Sequence, residues 1–286
     1  MKTVYFKTTL FILISLFVTS CEKEVELNLP PYKSKIVLIG EFNNFETMSV
    51  NVGRSIPVLT PVDTTGFALE NVTIKFYEGN TLLGNGSFFN NQYVFNWRPE
   101  AGKTYTIEAS HPDFTSVKAT VKMPNAVAFS SSYKDSIGID AEGLNIGEIT
   151  LNINDNRAEK NYYQLLIRYY NASINEWFPF DFSSNDIVFL NNEKYDDGSY
   201  LFGDKTFNGT LKTIKLNVPF GLAMGTPKFE ISLKSIDAVY YEYIQKTSRD
   251  DQNLSQAFLN PVILNSNVEN GLGFVAGVLN RRDTIR

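Results

Sequence analysis

Apolar residues recur at every second position in three successive runs: Val72, Ile74 and Phe76; Tyr105, Ile107 and Ala109; and Val117, Ala119, Val121 and Met123. A strand turns successive side chains to opposite faces, so this spacing gives each run one face to bury and one to leave in water. Turn signals separate the runs at Glu78-Gly79-Asn80, Asn90-Asn91 and Glu100-Ala101-Gly102-Lys103, the punctuation of an all-β sandwich. Lys35-Ile36-Val37-Leu38-Ile39 reads as the first strand after Pro30-Pro31. Met123-Pro124-Asn125 closes the unit, because proline removes a ladder donor and restricts the residue before it. Residues 35–124 are therefore expected to form one β-sandwich domain.

The order of strand, Asn-rich turn, Tyr93-Val94-Phe95 and then Gly102-Lys103-Thr104-Tyr105-Thr106-Ile107 resembles the small sandwiches of the transthyretin and carboxypeptidase-regulatory type. Residues 125–286 are expected to form a second β-rich domain, with strands at 149–153, 162–170, 187–190, 211–218 and 228–233. A single amphipathic α-helix is expected near 237–252, where Ile236, Val239, Tyr240, Tyr243 and Ile244 fall on one stripe and Ser235 or Asp237 serves as N-cap. Short apolar strands follow at Pro261–Leu264 and Gly273–Val278. The fold class is thus mainly β. Aromatic residues make up 14% of the chain, with Phe 22 and Tyr 15; they suit pleated faces, and they equally suit a carbohydrate or peptide binder.

Cys21 is the one cysteine of the chain. Before it come Lys2 and Lys7, an apolar run from Leu10 to Val18 broken by Ser15, and then Val18-Thr19-Ser20-Cys21. That run is too short to span a bilayer core, which takes about 20 residues; the arrangement reads as a lipoprotein signal peptide over 1–20 with Cys21 as the lipidated residue. A thiol consumed as a thioether leaves no cysteine for disulfides, thiolate metal sites or nucleophilic catalysis. More than one acyl chain makes such an anchor stable. Residues 21–34 form an acidic tether opening Cys21-Glu22-Lys23-Glu24-Val25-Glu26; it is either a plain solvated linker or, in its resemblance to export signals of Bacteroidota lipoproteins, an address for the cell surface. Losing Lys2 and Lys7 with the signal takes the net charge from −5 to −7, which argues against nucleic acid or anionic lipid as a partner.

Chemistry-bearing constellations are sparse. His111, the one histidine, stands in the polar turn Ser110-His111-Pro112-Asp113, with no Gly-x-Ser-x-Gly elbow anywhere to complete a triad. Asp181, Asp186, Asp196, Asp197 and Asp204 could supply the paired carboxylates of a glycosidase, yet they sit among Asn, Ser and Gly, where Asp forms turns. Asn192-Glu193-Lys194-Tyr195-Asp196-Asp197-Gly198 lacks the spaced acids of a calcium loop. Gly271-Leu272-Gly273-Phe274-Val275-Ala276-Gly277 has the wrong spacing for a dinucleotide site, and its glycines read as places where a strand bends or a neighbour comes close. No cofactor, metal or enzymatic activity is expected. The most unusual segment is Trp177-Phe178-Pro179-Phe180-Asp181-Phe182. Alternation puts Phe178, Phe180 and Phe182 on one face, as in a buried strand; the same aromatics in a loop would stack on sugar rings or insert into a partner. Trp177, Phe178, Phe180 and Phe182 are accordingly the candidate ligand- or partner-binding residues, with a central Trp worth about 2 kcal/mol or more to a contact.

Asn161-Tyr162-Tyr163, Thr206-Phe207-Asn208-Gly209, Ser235-Ile236-Asp237-Ala238-Val239-Tyr240-Tyr241-Glu242-Tyr243, Asn260-Pro261-Val262 and Ser266-Asn267-Val268-Glu269-Asn270-Gly271-Leu272-Gly273-Phe274 occur in that order. Together with Cys21 to Pro30, the set resembles the Bacteroidota outer-membrane lipoprotein family catalogued as domain of unknown function 4249. Genes of that family typically stand beside a TonB-dependent receptor of the SusC type. The resemblance implies a surface-exposed outer-membrane lipoprotein, anchored through Cys21, that serves as accessory or substrate-binding partner of such a transporter, with a glycan or peptide as possible ligand. It carries over no catalytic residue. A structural or adhesive surface lipoprotein is the alternative, and a glycan- or peptide-acting enzyme a third.

Overall fold

A computed structural model describes residues 32–57, 68–157, 159–190, 194–195, 197–220, 227–247 and 265–286. The expected signal peptide with Cys21, most of the expected tether, Asp196, the end of the expected helix beyond 247 and the expected strand Pro261–Leu264 lie outside the described residues. The strands below all belong to the unit Ser34–Arg286.

The first eight strands are β1 (Ile36–Asn43), β2 (Ser49–Arg54), β3 (Thr73–Glu78), β4 (Thr81–Asn85), β5 (Ser87–Phe89), β6 (Gln92–Val94), β7 (Thr104–His111) and β8 (Phe114–Lys122). The alternating runs become β3, β7 and the β8 segment, and every apolar residue named for them is buried. The turns form where Gly and Asn stand: Gly79 and Gly102 take positive φ, and Asn90 and Asn91 do so in succession, as a two-residue hairpin requires. Phe76 is the hub of this core, its ring 5.3 Å from both Tyr105 and Trp97 and 5.7 Å from Phe42.

The remaining elements are β9 (Ala128–Ile139), β10 (Asn145–Asn154), β11 (Tyr162–Asn171), β12 (Glu176–Pro179), β13 (Tyr200–Gly203), β14 (Leu211–Phe220), β15 (Phe229–Ile236), helix α1 (Ala238–Thr247), β16 (Val268–Glu269) and β17 (Leu272–Ile285). The chain is mainly β with one helix of this length among the described residues, in several sheets. The expected strand at 187–190 is instead a turn. Its four apolar residues look like a short buried strand, but Asp186 Oδ1 accepts from Val188 N at 3.1 Å and the Asp186 carbonyl accepts from Phe189 N at 3.0 Å, and the backbone coils. Val188 and Phe189 go inward, leaving Ile187 59% and Leu190 64% exposed.

A nine-stranded sheet runs β12-β11-β15-β17-β1-β2-β6-β5, with β13 beside β12 along β11. Its long member β17 pairs parallel with β1 from Val37↔Leu272 to Asn43↔Val278, and antiparallel with β15 from Ile236↔Val278 to Phe229↔Ile285. Two smaller sheets cover one face of it. The sheet β16-β8-β7-β3-β4 closes the first core, which takes in Val268 and Val275 as well as residues 36–123. The sheet β14-β10-β9 closes the second, where Ile149, Leu151, Ile153, Ile214, Leu216 and Val218 meet Leu165, Ile167, Ile231 and Leu233. Each such side chain contributes about 1.5–3 kcal/mol on burial. The strands of residues 35–124 are therefore completed by β16 and half of β17, drawn from the C-terminal part of the chain.

Backbones meet closely along β17. Gly273 has φ +101, and Gly277 lies against Met123 and Pro124, as the expected close approach of a neighbour requires. On the far face of the nine-stranded sheet, α1 covers Leu201, Ile236 and Val278 with Tyr240, Tyr241 and Ile244, and Tyr243 stacks 4.0 Å from Phe274. Of the two N-cap candidates it is Asp237 that caps: Oδ1 accepts from Tyr240 N at 2.8 Å.

Candidate functional site

The aromatic hexapeptide 177–182 straddles the end of β12, and its residues part company there. β12 pairs antiparallel with β11, Tyr170 opposite Trp177 and Tyr169 opposite Phe178. The hairpin between them is fixed by local chemistry: Asn171 Oδ1 accepts from Ser173 N at 3.0 Å, Asn175 takes φ +58, and the Tyr170 hydroxyl donates to Asn175 Oδ1.

Phe178 rests on Tyr169 at 5.7 Å. Phe180 leaves the strand, packs on the second core and meets Tyr169 and Phe229 at 5.4 and 5.5 Å. Phe182 is 8% exposed, between Tyr200 at 4.7 Å and Phe189 at 5.5 Å. The three phenylalanines thus share the core side, as the alternation required. Trp177 turns the other way, half-buried on the outward face with Tyr170 at 5.2 Å. The Lys228 ammonium sits 4.7 Å from the Tyr170 ring centre and 5.2 Å from that of Trp177, within reach of a cation–π attraction to each.

Charge continues along the same face. Arg168 on β11 pairs with Glu230 on β15, Arg282 on β17 approaches the same carboxylate at 3.9 Å, and its guanidinium lies 4.8 Å from the Phe45 ring centre. Glu230 is the one acid among three cations. Arg168 Nε is buried with no partner among the described residues. In a chain of net charge −5, this stripe of Trp177, Tyr170, Lys228, Arg168, Arg282 and Phe45 is a local excess of cation and π-surface. It offers stacking faces and N–H donors, the means to hold a planar or anionic group. It places no nucleophile beside a base.

The other residues raised from the sequence have local partners. His111 Nδ1 accepts from Asp113 N at 3.2 Å within the β7–β8 hairpin. Asp181 pairs with Lys194, and Asp186 with Lys212 at 2.8 Å beside an open polar cleft of about 430 Å³. Asp197 accepts from Ser199 N at 2.9 Å, and the buried Asp204 accepts from Asn161 N at 2.7 Å. Among the described residues no three of His, Cys, Asp and Glu come together as a metal site. Sequence reasoning missed Tyr170, Lys228, Arg168 and Arg282. They come from β11, β17 and the residue just before β15, and only the antiparallel register of β11, β15 and β17 sets them on one face; the alternation of Tyr169 and Tyr170 opposite the hexapeptide was the available signal.

A family model described as "Domain of unknown function (DUF4249)" matches residues 22–284. A comparison with curated proteins gives no match. Among solved structures, the fibronectin(III)-like modules of Clostridium thermocellum CbhA are 13% identical with a TM-score of 0.25, covering 88% of this chain and 92% of that one. The Fcho1 Mu homology domain of Danio rerio with bound Eps15 peptide is 10% identical with a TM-score of 0.24, covering 88% and 93%. Neither likeness adds to what the strand order itself gives.

Proposed function

The chain belongs to the DUF4249 family, and on that premise we propose that it is a lipoprotein anchored in the outer membrane through Cys21, turned to the cell surface, and an accessory or substrate-binding partner of a TonB-dependent transporter of the SusC type. The address rests on the basic, apolar and small-residue segment that ends at Cys21. The observation that carries the binding role is the outward cluster of Trp177, Tyr170 and Lys228. A half-buried Trp with a cation over its face has the composition of an interface anchor rather than of a solvated edge. Its place beside the hairpin tip 172–175 leaves that end of the sheet accessible.

Mechanistically, the anchor confines the protein to two dimensions beside the barrel. Effective concentration is then high, and a modest affinity suffices for capture and hand-over. The test is affinity purification of the native lipoprotein, tagged at Arg286, from detergent-solubilised outer membrane, with partners identified by mass spectrometry. A stoichiometric TonB-dependent barrel, lost on Trp177→Ala, is the expected result. A partner-free lipoprotein overturns the transport reading and leaves adhesion in its place. Proteinase treatment of whole cells checks the orientation: protection until lysis would refute the outward-facing arrangement.

A further inference from the structure

A second concavity lies away from the aromatic stripe, where the Met123-Pro124-Asn125 connection crosses the end of β15 and the start of α1. It measures about 180 Å³ and is lined by Asn125, Glu159, Lys160, Tyr162, Ser235 and Asp237 among others. At about 30 Å³ per water, that is room for about six waters.

The hydrogen-bonding capacity of this wall is only partly used. Ser235 is 4% exposed, yet its hydroxyl has no partner among the described residues. A buried hydroxyl left so is unfavourable, and a ligand that bonds to it removes that penalty. Lys160 hydrogen-bonds the Tyr162 side chain, reaches over that ring at 4.9 Å and is drawn at longer range by Asp204, which leaves two of its three donors for a ligand. Glu159 is already engaged by Lys122 at 3.1 Å and Asn125 at 2.7 Å. Asp237 accepts only from backbone N–H groups, those of Tyr240 and Gly277, each at 2.8 Å, and that of Val239, and no cationic side chain among the described residues answers its charge. Burial pushes its carboxyl up to about 6, the mark of a carboxylate short of a counter-ion. The Tyr162 ring is taken on one side by Tyr241 at 4.4 Å and approached by Lys160, so no aromatic face is open for a sugar to stack on.

We propose that this cleft binds a small zwitterion, a free α-amino acid or the termini of a very short peptide, with Lys160 holding the carboxylate, Asp237 facing the ammonium and the Ser235 hydroxyl bonding between them. The inference rests on the substrate-binding half of the reading above. Its test uses the purified full chain alone, so a missing barrel partner leaves the outcome unaffected.

Calorimetric titration is made with L-alanine, L-glutamate and glycylglycine, and in parallel with N-acetyl-L-alanine and L-alaninamide, each of which lacks one of the two charges. At least one zwitterion is expected to bind, with the single-charge derivatives weaker by tenfold or more. Lys160→Met removes an exposed side chain, and Asp237→Asn keeps a helix-capping oxygen. Each variant, with its circular dichroism unchanged, is expected to weaken zwitterion binding at least tenfold. Absence of binding by all three zwitterions overturns the proposal, as does equal binding of the single-charge derivatives or binding unmoved in both variants.

Discussion

Gly273 of β17 lies so close to Leu38 of β1 that a Cβ built on it would stand 2.2 Å from the Leu38 carbonyl oxygen. Contact with a backbone atom cannot be relieved by a side-chain rotation, and φ +101 is closed to L side chains in any case. Gly273→Ala is expected to cost about 3 kcal/mol or more. Because β17 belongs to both cores, the loss should appear as one shifted transition in urea, by tryptophan fluorescence and far-ultraviolet dichroism alike.

Residues 35–124 read from the sequence as a sandwich complete in itself. Expressed alone they lack Val268, Val275 and the strand that flanks β1, and β1 becomes an open edge. This fragment is expected to show no cooperative thermal transition, whereas 34–286 shows one. A sharp transition in the fragment would mean that β17 is dispensable to the first core.

Within the aromatic hexapeptide, two substitutions should part binding from stability. Phe182→Ala opens a cavity beside Phe189 and Tyr200, at about 3–5 kcal/mol. Trp177→Ala removes an outward ring and is expected to move the melting temperature little while weakening partner capture. Paired melting and pull-down measurements on both variants check this; a large stability loss for Trp177→Ala would reassign it to the core.

Asp237 gives stability a pH signature. Its folded pKa of about 6 is raised from 3.8, so between those values the folded state binds more protons than the unfolded one. Stability from this group is full below about pH 4 and is lost as pH rises through about 6, by about 3 kcal/mol. Asp237→Asn keeps the oxygen that caps Tyr240 N but sets an NH2 group against Gly277 N in place of the second oxygen; the variant is expected to abolish that slope and to lose the Gly277 bond. Urea midpoints across pH 4–7 for both proteins give the comparison.

The sequence discloses strands wherever one face is dry and the other wet, as in Val72-Ile74-Phe76 or Tyr105-Ile107-Ala109. It hides them where tertiary contacts stand in for apolar side chains. The second half of β17, Asn280-Arg281-Arg282-Asp283-Thr284-Ile285, reads as polar tail; Arg281 is held there by the Val127 carbonyl at 3.1 Å and Asp283 by the Ser131 hydroxyl at 2.5 Å. β9, exposed over most of its length, is hidden for the same reason. Ile187–Leu190 errs the other way, because one Asp side chain outweighs four apolar residues. The hexapeptide was visible as a peculiarity, but its partners Lys228 and Arg168 were not, and the cleft sets Lys160 with Ser235 and Asp237 from a second segment far along the chain. Spacing along the chain carries no information on pairs brought together across a sheet.

The place of β17 in the chain also sets a clock. It comes after every strand it joins, and it meets β1 some 235 positions downstream, as Val37↔Leu272. During vectorial synthesis the earlier strands must wait, each core open along one side, until the residues from Leu272 onward have emerged. Both cores are completed along the same strand, so the finished sheet is within reach of the chain only once its last residues have emerged.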